Sequence, residues 1–269
     1  MILLATALQL GGCAQSPVSG RSQFMALPAQ IGAVQSEILF GLNDIRAGLG
    51  ELPCATPPET CGDAASRKFR LQVARIAGQL VPAARELYPQ LADNSESFQV
   101  SVVRGAVSAS TSSASGRIAL TSALQAMDPS DDLVAFIIAR EMGHVLNRHD
   151  EENSSAGMVG SFLVGLLVPV QGLVRMAVSL FGSRVGSGLN VEEQQAESDL
   201  VAKRILERAG YTAQSVALSL AIEAGAPELS TGRWAHAFCS SALRAGAQRP
   251  HQAPVCQEVS MVLVTAPEY

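Results

Sequence analysis

The sequence predicts an α+β protein that is mostly helical and carries a small antiparallel sheet beside its central helix. Three observations support this fold class. Several long segments place apolar residues every three or four positions, which is typical of helices with one buried face. One Val-rich segment alternates apolar and polar residues, as a strand does. A second short strand follows, and then an acidic pair that marks the start of another helix.

The amino-terminal residues resemble a bacterial export signal. The run MILLATALQLGGCAQS places small residues and Cys13 directly after an apolar stretch, as in the lipobox of lipoproteins. In this interpretation residues 1–12 are a signal segment and Cys13 is the lipidated first residue of the mature chain. No Lys or Arg precedes the apolar run, and a buried amino-terminal helix is the alternative. We expect residues 14–24 to form an extended lead from the membrane.

The other four cysteines indicate an oxidising compartment. Their number is even, and the absence of CxxC spacing argues against a structural zinc ribbon. We expect two local disulfides, Cys54–Cys61 and Cys239–Cys256, although the sequence alone allows three connectivities. Disulfides persist in the periplasm. The sequence therefore predicts a periplasmic protein that is anchored to a bacterial membrane by lipid on Cys13, and we expect this to be the outer membrane.

Periodicity predicts three helices besides the one that carries the central motif, and a further helix is expected to begin near Ala213. The first covers about residues 28–47 and the second covers 64–87. The third begins at 191 and ends near 209, where Gly210 and Tyr211 supply a termination signal.

The segments 97–105 and 117–121 are the two predicted strands. Between them, the Ser-rich stretch 108–115 is expected to be a flexible turn rather than a nucleophile site, because no Ser–His–Asp grouping accompanies it. These strands precede the acidic pair Asp131 and Asp132, which begins the helix with the central motif. The sheet is therefore expected to lie next to that helix.

The composition favours membrane association over nucleic-acid binding. The mean hydropathy is +0.22 and the formal net charge is -5, without a cluster of Lys and Arg. Residues 153–174 carry no charge and are long enough to span a bilayer. Pro169 and four glycines interrupt this run, so we expect a helical hairpin beside the central helix, with a spanning helix as the alternative.

The stretch AREMGHVLNRH, residues 139–149, resembles the zinc-binding helix of an HExxH peptidase with one residue changed. Ligands at positions i and i+4 lie about 40° apart around a helix, so they share one face. Arg140 occupies the first position and His144 the second, with Glu141 in the place of the residue that acts on metal-bound water. In a continuous helix His149 lies about 140° from His144. We therefore expect His149 to face elsewhere, as a surface or structural residue.

The order of these features resembles a family of bacterial envelope metallopeptidases, the lipoprotein relatives of CAAX-prenyl endopeptidases and Oma-type proteases. The resemblance covers roughly residues 13–225, through SPVSGRSQFM, DDLVAFIIAREMGHVLNRH and AESDLVAKRILERAGY. It implies a gluzincin fold with Glu197 as the third zinc ligand and Glu141 as the catalytic residue. It also implies that Asp199 orients a histidine ligand, while Ser198 stands where the family has Ala.

This resemblance divides the chain into four parts: a signal segment (1–12), a lipid-anchored segment with the first helix (13–63), a metallopeptidase-like domain (64–225) and an irregular carboxy-terminal segment (226–269). The stretch before the central helix lacks the Asn and the Pro-Gly-Gly that the family usually has there. A carboxy-terminal His-Pro followed by Arg is also not recognisable.

Arg140 is the departure with the largest chemical effect. A guanidinium stays protonated and offers zinc no lone pair, which leaves two ligands where catalytic zinc sites use three. We expect Arg140 to take the place of the metal electrostatically, pairing with Glu197 and Glu141.

Two functions therefore remain from the sequence. The chain is either a zinc endopeptidase of impaired activity or an inactive pseudopeptidase that binds polypeptides or envelope partners along an edge strand. Zinc is the cofactor expected from the family and belongs only to the first function. Proteins or peptides are the expected partners in both. Nothing in the sequence indicates an oligomeric state.

Overall fold

The computed structural model describes residues 12–25, 64–89, 98–104, 109–153, 191–212, 215–216 and 241. Across these ranges the helices are α1 (Ala64–Leu87), α2 (Asp131–Leu146) and α3 (Val191–Arg208). The strands are β1 (Gly12–Gln15), β2 (Ser22–Met25), β3 (Gln99–Val103), β4 (Ser110–Ser112) and β5 (Arg117–Thr121). A 3-10 helix, Ser122–Met127, joins β5 to α2.

The helix α2 lies at the centre of the core, with α1 and α3 packed against it. It begins at the predicted acidic pair, where the Ser130 side chain accepts a hydrogen bond from the Leu133 N–H and satisfies one free donor of the first turn. Every residue from Leu133 to Gly143 is buried. A helix that is buried all around places its polar residues inside the protein, and this holds for Arg140 and Glu141.

The bounds predicted for α1 and α3 are confirmed. The buried residues of α1 recur at helical spacing and face the core: Phe69, Val73, Ile76, Leu80 and Ala84. The end of α3 forms a hydrogen-bonded cap around Gly210, which has a φ of +93°, and the Tyr211 N–H donates to the Leu206 carbonyl at 2.9 Å.

The larger sheet has the strand order β3-β5-β4. Both predicted strands are confirmed, but the prediction of an antiparallel sheet is wrong for one pair, since β3 and β5 run parallel and only β4 and β5 are antiparallel. Alternation identifies a strand without indicating its direction. The prediction of a flexible turn at 108–115 is also wrong, because Ser110–Ser112 forms β4.

The segment after Cys13 forms a hairpin, so the predicted extended lead is wrong. Strands β1 and β2 pair antiparallel, with Cys13 opposite Phe24. Gly20 has a φ of +74° in the connecting turn, and the Ser16 N–H donates to the Arg21 carbonyl at 2.7 Å. The side chains of Ser16 and Gln23 are buried, so the hairpin is packed onto the domain.

Several predictions concern residues outside the described ranges: the helix over 28–47, residues 154–174 of the uncharged run, and the disulfides Cys54–Cys61 and Cys239–Cys256. Within the described ranges, no helix combines the length and apolar character needed to cross a membrane.

The helices α2 and α3 approach closely at Gly143. A Cβ atom at this position would lie 2.7 Å from the backbone oxygen of Ser198. Replacing Gly143→Ala should force the helices apart and lower the free energy of unfolding by about 1–3 kcal/mol in a urea titration. Gly78→Ala is the matched control, because a Cβ there meets nothing within 4 Å and Ala favours a helix by about 0.5–1 kcal/mol over Gly. Equal stability of the two variants would contradict the close approach.

Candidate active site

The early end of α2 changes the position of His149. The last residue of α2 is Leu146, and Arg148 then adopts a left-handed conformation with a φ of +60°. Residues 149–153 form a separate helical segment after this turn. The prediction that His149 faces elsewhere is therefore wrong, because it assumed a continuous helix. Asn147 is the signal that could have indicated this break, since Asn is favoured at helix ends.

His149 is fully buried and links two of the predicted site residues. Its Nδ1 lies 2.9 Å from His144 Nδ1 on α2. Its Nε2 lies 2.8 Å from Glu197 Oε2 on α3. The Ser198 hydroxyl, at the position where the resembled family has Ala, lies 3.3 Å from His149 Nδ1. The structure thus brings together His144 and Glu197 through a third residue that the sequence did not assign to the site.

The two histidines are neutral at neutral pH. Burial lowers the pKa of His144 well below its usual value, and the nearby His149 and Arg140 lower it further. Burial also lowers the pKa of His149, although its hydrogen bond to Glu197 opposes this effect. Because a carboxylate can only accept, His149 Nε2–H donates to Glu197, and His149 Nδ1 accepts from His144 Nδ1–H. This arrangement leaves the lone pair of His144 on Nε2.

Glu197 is held from the amino-terminal hairpin as well as by His149. Its Oε1 accepts a hydrogen bond from the Ser19 hydroxyl and lies 3.0 Å from Arg21 Nε. Burial alone would raise the pKa of Glu197, but its contacts with His149, Ser19 and Arg21 together lower that pKa to about 2. Arg21 also donates to both carboxylate oxygens of Glu152, at 3.0 and 2.6 Å. Glu197 is therefore ionised and fixed in orientation.

Arg140 forms an ion pair with Asp199 inside the protein. Its Nε lies 3.3 Å from Asp199 Oδ1, and the two side chains are 5% and 14% exposed. Asp199 Oδ1 also accepts a hydrogen bond from the Ser241 hydroxyl at 2.9 Å. Asp199 thus lies beside position 140, where the resemblance places the first histidine ligand. The expected partners of Arg140 were Glu197 and Glu141, and the ion pair that the structure shows is with Asp199.

Glu141 faces the sheet. It is buried, and its Oε1 accepts a hydrogen bond from the Ser110 hydroxyl on β4 at 2.7 Å. The residue that the resemblance identifies as catalytic therefore lies next to the outer strand β4.

These donors do not fit a catalytic zinc ion. His144 Nε2 and Glu197 provide two donors, whereas such sites use three protein ligands. His149 cannot provide the third, because its ring nitrogens are bonded to His144 and Glu197. Position 140 adds a fixed positive charge instead of a lone pair. In the described part of the chain, no group of three or more His, Cys, Asp or Glu is arranged to hold a metal ion.

Comparison with known proteins identifies the family of this domain. Residues 77–241, more than half of the chain, match Peptidase family M48. The chain belongs to peptidase family M48. Members of this family are zinc metallopeptidases. The helices α2 and α3 and the mixed sheet lie within the matched residues and therefore belong to a peptidase domain.

Among curated proteins, the chain is similar to the Beta-barrel assembly-enhancing protease of Escherichia coli K12 and of Shigella flexneri, at 27% identity over 111 residues in each case. The protein of the same name from Yersinia pestis is 26% identical over 111 residues. Each alignment spans 38% of this chain and 23% of the relative. The shared region is therefore a part of a longer protein in each relative.

Sequence reasoning missed Ser19, Arg21 and Glu152 as members of the site. For Ser19 and Arg21 the only local signal was a polar, turn-rich segment that contains one Arg. Such a segment predicts a turn but does not indicate which distant residues the turn contacts. The partners Glu152 and Glu197 lie more than a hundred residues away in the chain, so only the fold reveals the contacts.

The ion pair between Arg140 and Asp199 should contribute measurably to stability because both groups are largely buried. Replacing Asp199→Asn removes the negative charge beside Arg140 and leaves a buried polar group without its partner, which should lower the free energy of unfolding by about 1–3 kcal/mol in urea. Asp128→Asn is the matched control, since Asp128 pairs with Lys68 at the surface and its side chain is 89% exposed. That change should alter stability by less than about 0.5 kcal/mol. An Asp199→Asn variant as stable as the control would contradict a buried pair.

Proposed function

We propose that this chain is a non-hydrolytic member of family M48 that binds extended polypeptides in the bacterial envelope. The observation that carries the proposal is Arg140, a buried cation paired with Asp199 at the position where a zinc ligand is required. Peptide hydrolysis in such sites needs a water activated by the metal, with a carboxylate such as Glu141 to take its proton. Without a third donor for the metal, the site lacks the means for this chemistry.

The strand β4 supports polypeptide binding. It is an outer strand of the sheet formed by the described residues. The main-chain groups of Ala109, Thr111 and Ser113 face β5, as the register and the flanking hydrogen bonds show. Because successive residues of an antiparallel pair alternate in direction, the amide groups of Ser110 and Ser112 point away from β5. An extended polypeptide can add to that side of β4 through main-chain hydrogen bonds.

The names of the relatives favour one class of ligand. Proteins called Beta-barrel assembly-enhancing protease act, by that name, on assembling β-barrels. Strands that have not yet paired expose rows of main-chain donors and acceptors, which an outer strand can bind. The lipobox at Cys13 and the even number of other cysteines support a location in the periplasm, with lipid on Cys13 and attachment to the outer membrane.

A zinc endopeptidase of low activity is the second candidate. The retained geometry favours it: Glu197 is ionised, the lone pair of His144 lies on Nε2, and Glu141 faces the outer strand. Arg140 stands against it, because zinc bound there would have two protein donors and a neighbouring cation.

Cleavage and binding can be separated with Glu141→Gln, which removes the candidate proton acceptor but keeps the size of the side chain. We expect the wild-type protein, with zinc added, to bind an unfolded polypeptide such as reduced casein without cutting it. Glu141→Gln should bind with the same affinity. Binding is measured by fluorescence anisotropy and cleavage by gel electrophoresis. Cleavage that needs zinc and is lost in Glu141→Gln would reject the binding function in favour of the second candidate.

The role of β4 can be tested at Ser112. A Ser112→Pro change removes the outward amide hydrogen without affecting the bonds to β5, and should weaken binding of an unfolded polypeptide roughly tenfold. Ser112→Ala is the control, because it removes the same hydroxyl group and keeps the amide. Thermal unfolding of both variants checks that the domain is intact. Equal affinities of folded Ser112→Pro and Ser112→Ala would show that polypeptides do not add to this strand.

A further inference from the structure

The strand β4 is short and is fastened to β5 at both of its ends. It has only three residues, whereas strands in proteins usually have about five or six. On one side of it, the Thr121 hydroxyl accepts a hydrogen bond from the Ala109 N–H at 2.9 Å. On the other side, the Ser113 N–H donates to the Arg117 carbonyl at 2.9 Å. These contacts hold the edge of β4 that faces β5.

Two further hydrogen bonds join β4 to residues outside the sheet. The Ser110 hydroxyl donates to Glu141 Oε1 on α2 at 2.7 Å, and the Ser112 hydroxyl donates to Asp150 Oδ2, just after α2, at 3.3 Å. Ser110 and Ser112 are two residues apart, so their side chains lie on the same face of the strand. The bond to Glu141 is the shorter of the two, and Glu141 is buried.

The residue that Glu141 holds is one of the two whose amide groups point away from β5. In the antiparallel register, the main-chain groups of Ser110 and Ser112 face the open side of β4, where an extended polypeptide would add. The side chain of Ser110 is fixed to α2, and this restricts the movement of its amide group. A strand that is already immobilised loses less conformational freedom when it binds a polypeptide.

We propose that Glu141 is a positioning residue for β4, and that it holds the amide group of Ser110 in place for an added polypeptide. The inference rests on the proposed function, because it takes β4 as the strand that binds. It gives Glu141 a task that requires only a hydrogen-bond acceptor. Activation of a water molecule would instead require a group that takes up a proton, so the two tasks respond differently to substitution.

The test measures binding of fluorescently labelled, reduced casein to full-length variants by anisotropy. Glu141→Met removes the acceptor at a similar side-chain length and should weaken binding by about three- to tenfold. Glu141→Gln keeps an oxygen that can accept from Ser110, and should bind as the wild-type chain does. Ser110→Ala should weaken binding as much as Glu141→Met. The double variant should show no additional loss, because both changes remove the same hydrogen bond.

Hydrogen exchange of β4 separates positioning from a loss of overall stability. The peptide that covers residues 109–113 should exchange faster in Glu141→Met than in Glu141→Gln, because the strand opens locally. Ile76→Val is the matched control, since Ile76 is fully buried on α1 and loses one methyl group. This control should lower the unfolding midpoint while leaving casein affinity and the exchange of residues 109–113 unchanged.

Equal casein affinities of the wild-type chain and Glu141→Met would overturn the proposal, as would additive losses in the double variant. A loss in Glu141→Gln as large as that in Glu141→Met would also overturn it, because an acceptor alone would then not be sufficient. An equal loss in Ile76→Val would assign the effect to overall stability. If the wild-type chain does not bind casein, the proposed function itself fails, and the exchange measurement still decides whether Glu141 holds β4.

Discussion

The reversal of the chain at Arg148 is the constraint on which the site depends. By ending α2 at Leu146, it turns His149 back between α2 and α3, where the ring is hydrogen-bonded to His144 and Glu197. A left-handed conformation is unfavourable for a residue with a side chain, so the surrounding contacts must maintain it. Asn147, which is fully buried and bonded to Gly143, Ser16 and Gln23, provides those contacts.

Charge pairing explains why so many polar groups coexist in the interior. Arg140 faces Asp199, and Arg21 faces Glu152 and Glu197, so each of these two cations has at least one carboxylate beside it. Removing one member of such a pair leaves its partner charged in a medium of low polarity, which is costlier than the loss of the contact itself. The carboxylate of Asp199 beside Arg140 therefore offsets part of the cost of burying the guanidinium charge.

The sequence was sufficient for elements with strong periodicity and for residues within one helix. Local patterns predict the bounds of α1 and the strand β5. They also place Glu141 and His144 on the same helix. It was insufficient where position depends on distant partners. His149 was misplaced because one left-handed residue redirects the chain, and the parallel pairing of β3 with β5 leaves no local trace. The contacts of Arg21 with Glu152 and Glu197 follow only from the fold.

The hairpin has a consequence for where this domain can act. Cys13 lies in β1, and Ser16, three residues later, already contacts Asn147 beside the site. Three extended residues span about 10 Å. In the proposed lipoprotein this distance leaves no flexible tether between the acyl chains and the domain. The domain would therefore search the membrane surface in two dimensions, and would meet polypeptides at the moment they reach the bilayer rather than while they diffuse through the periplasm.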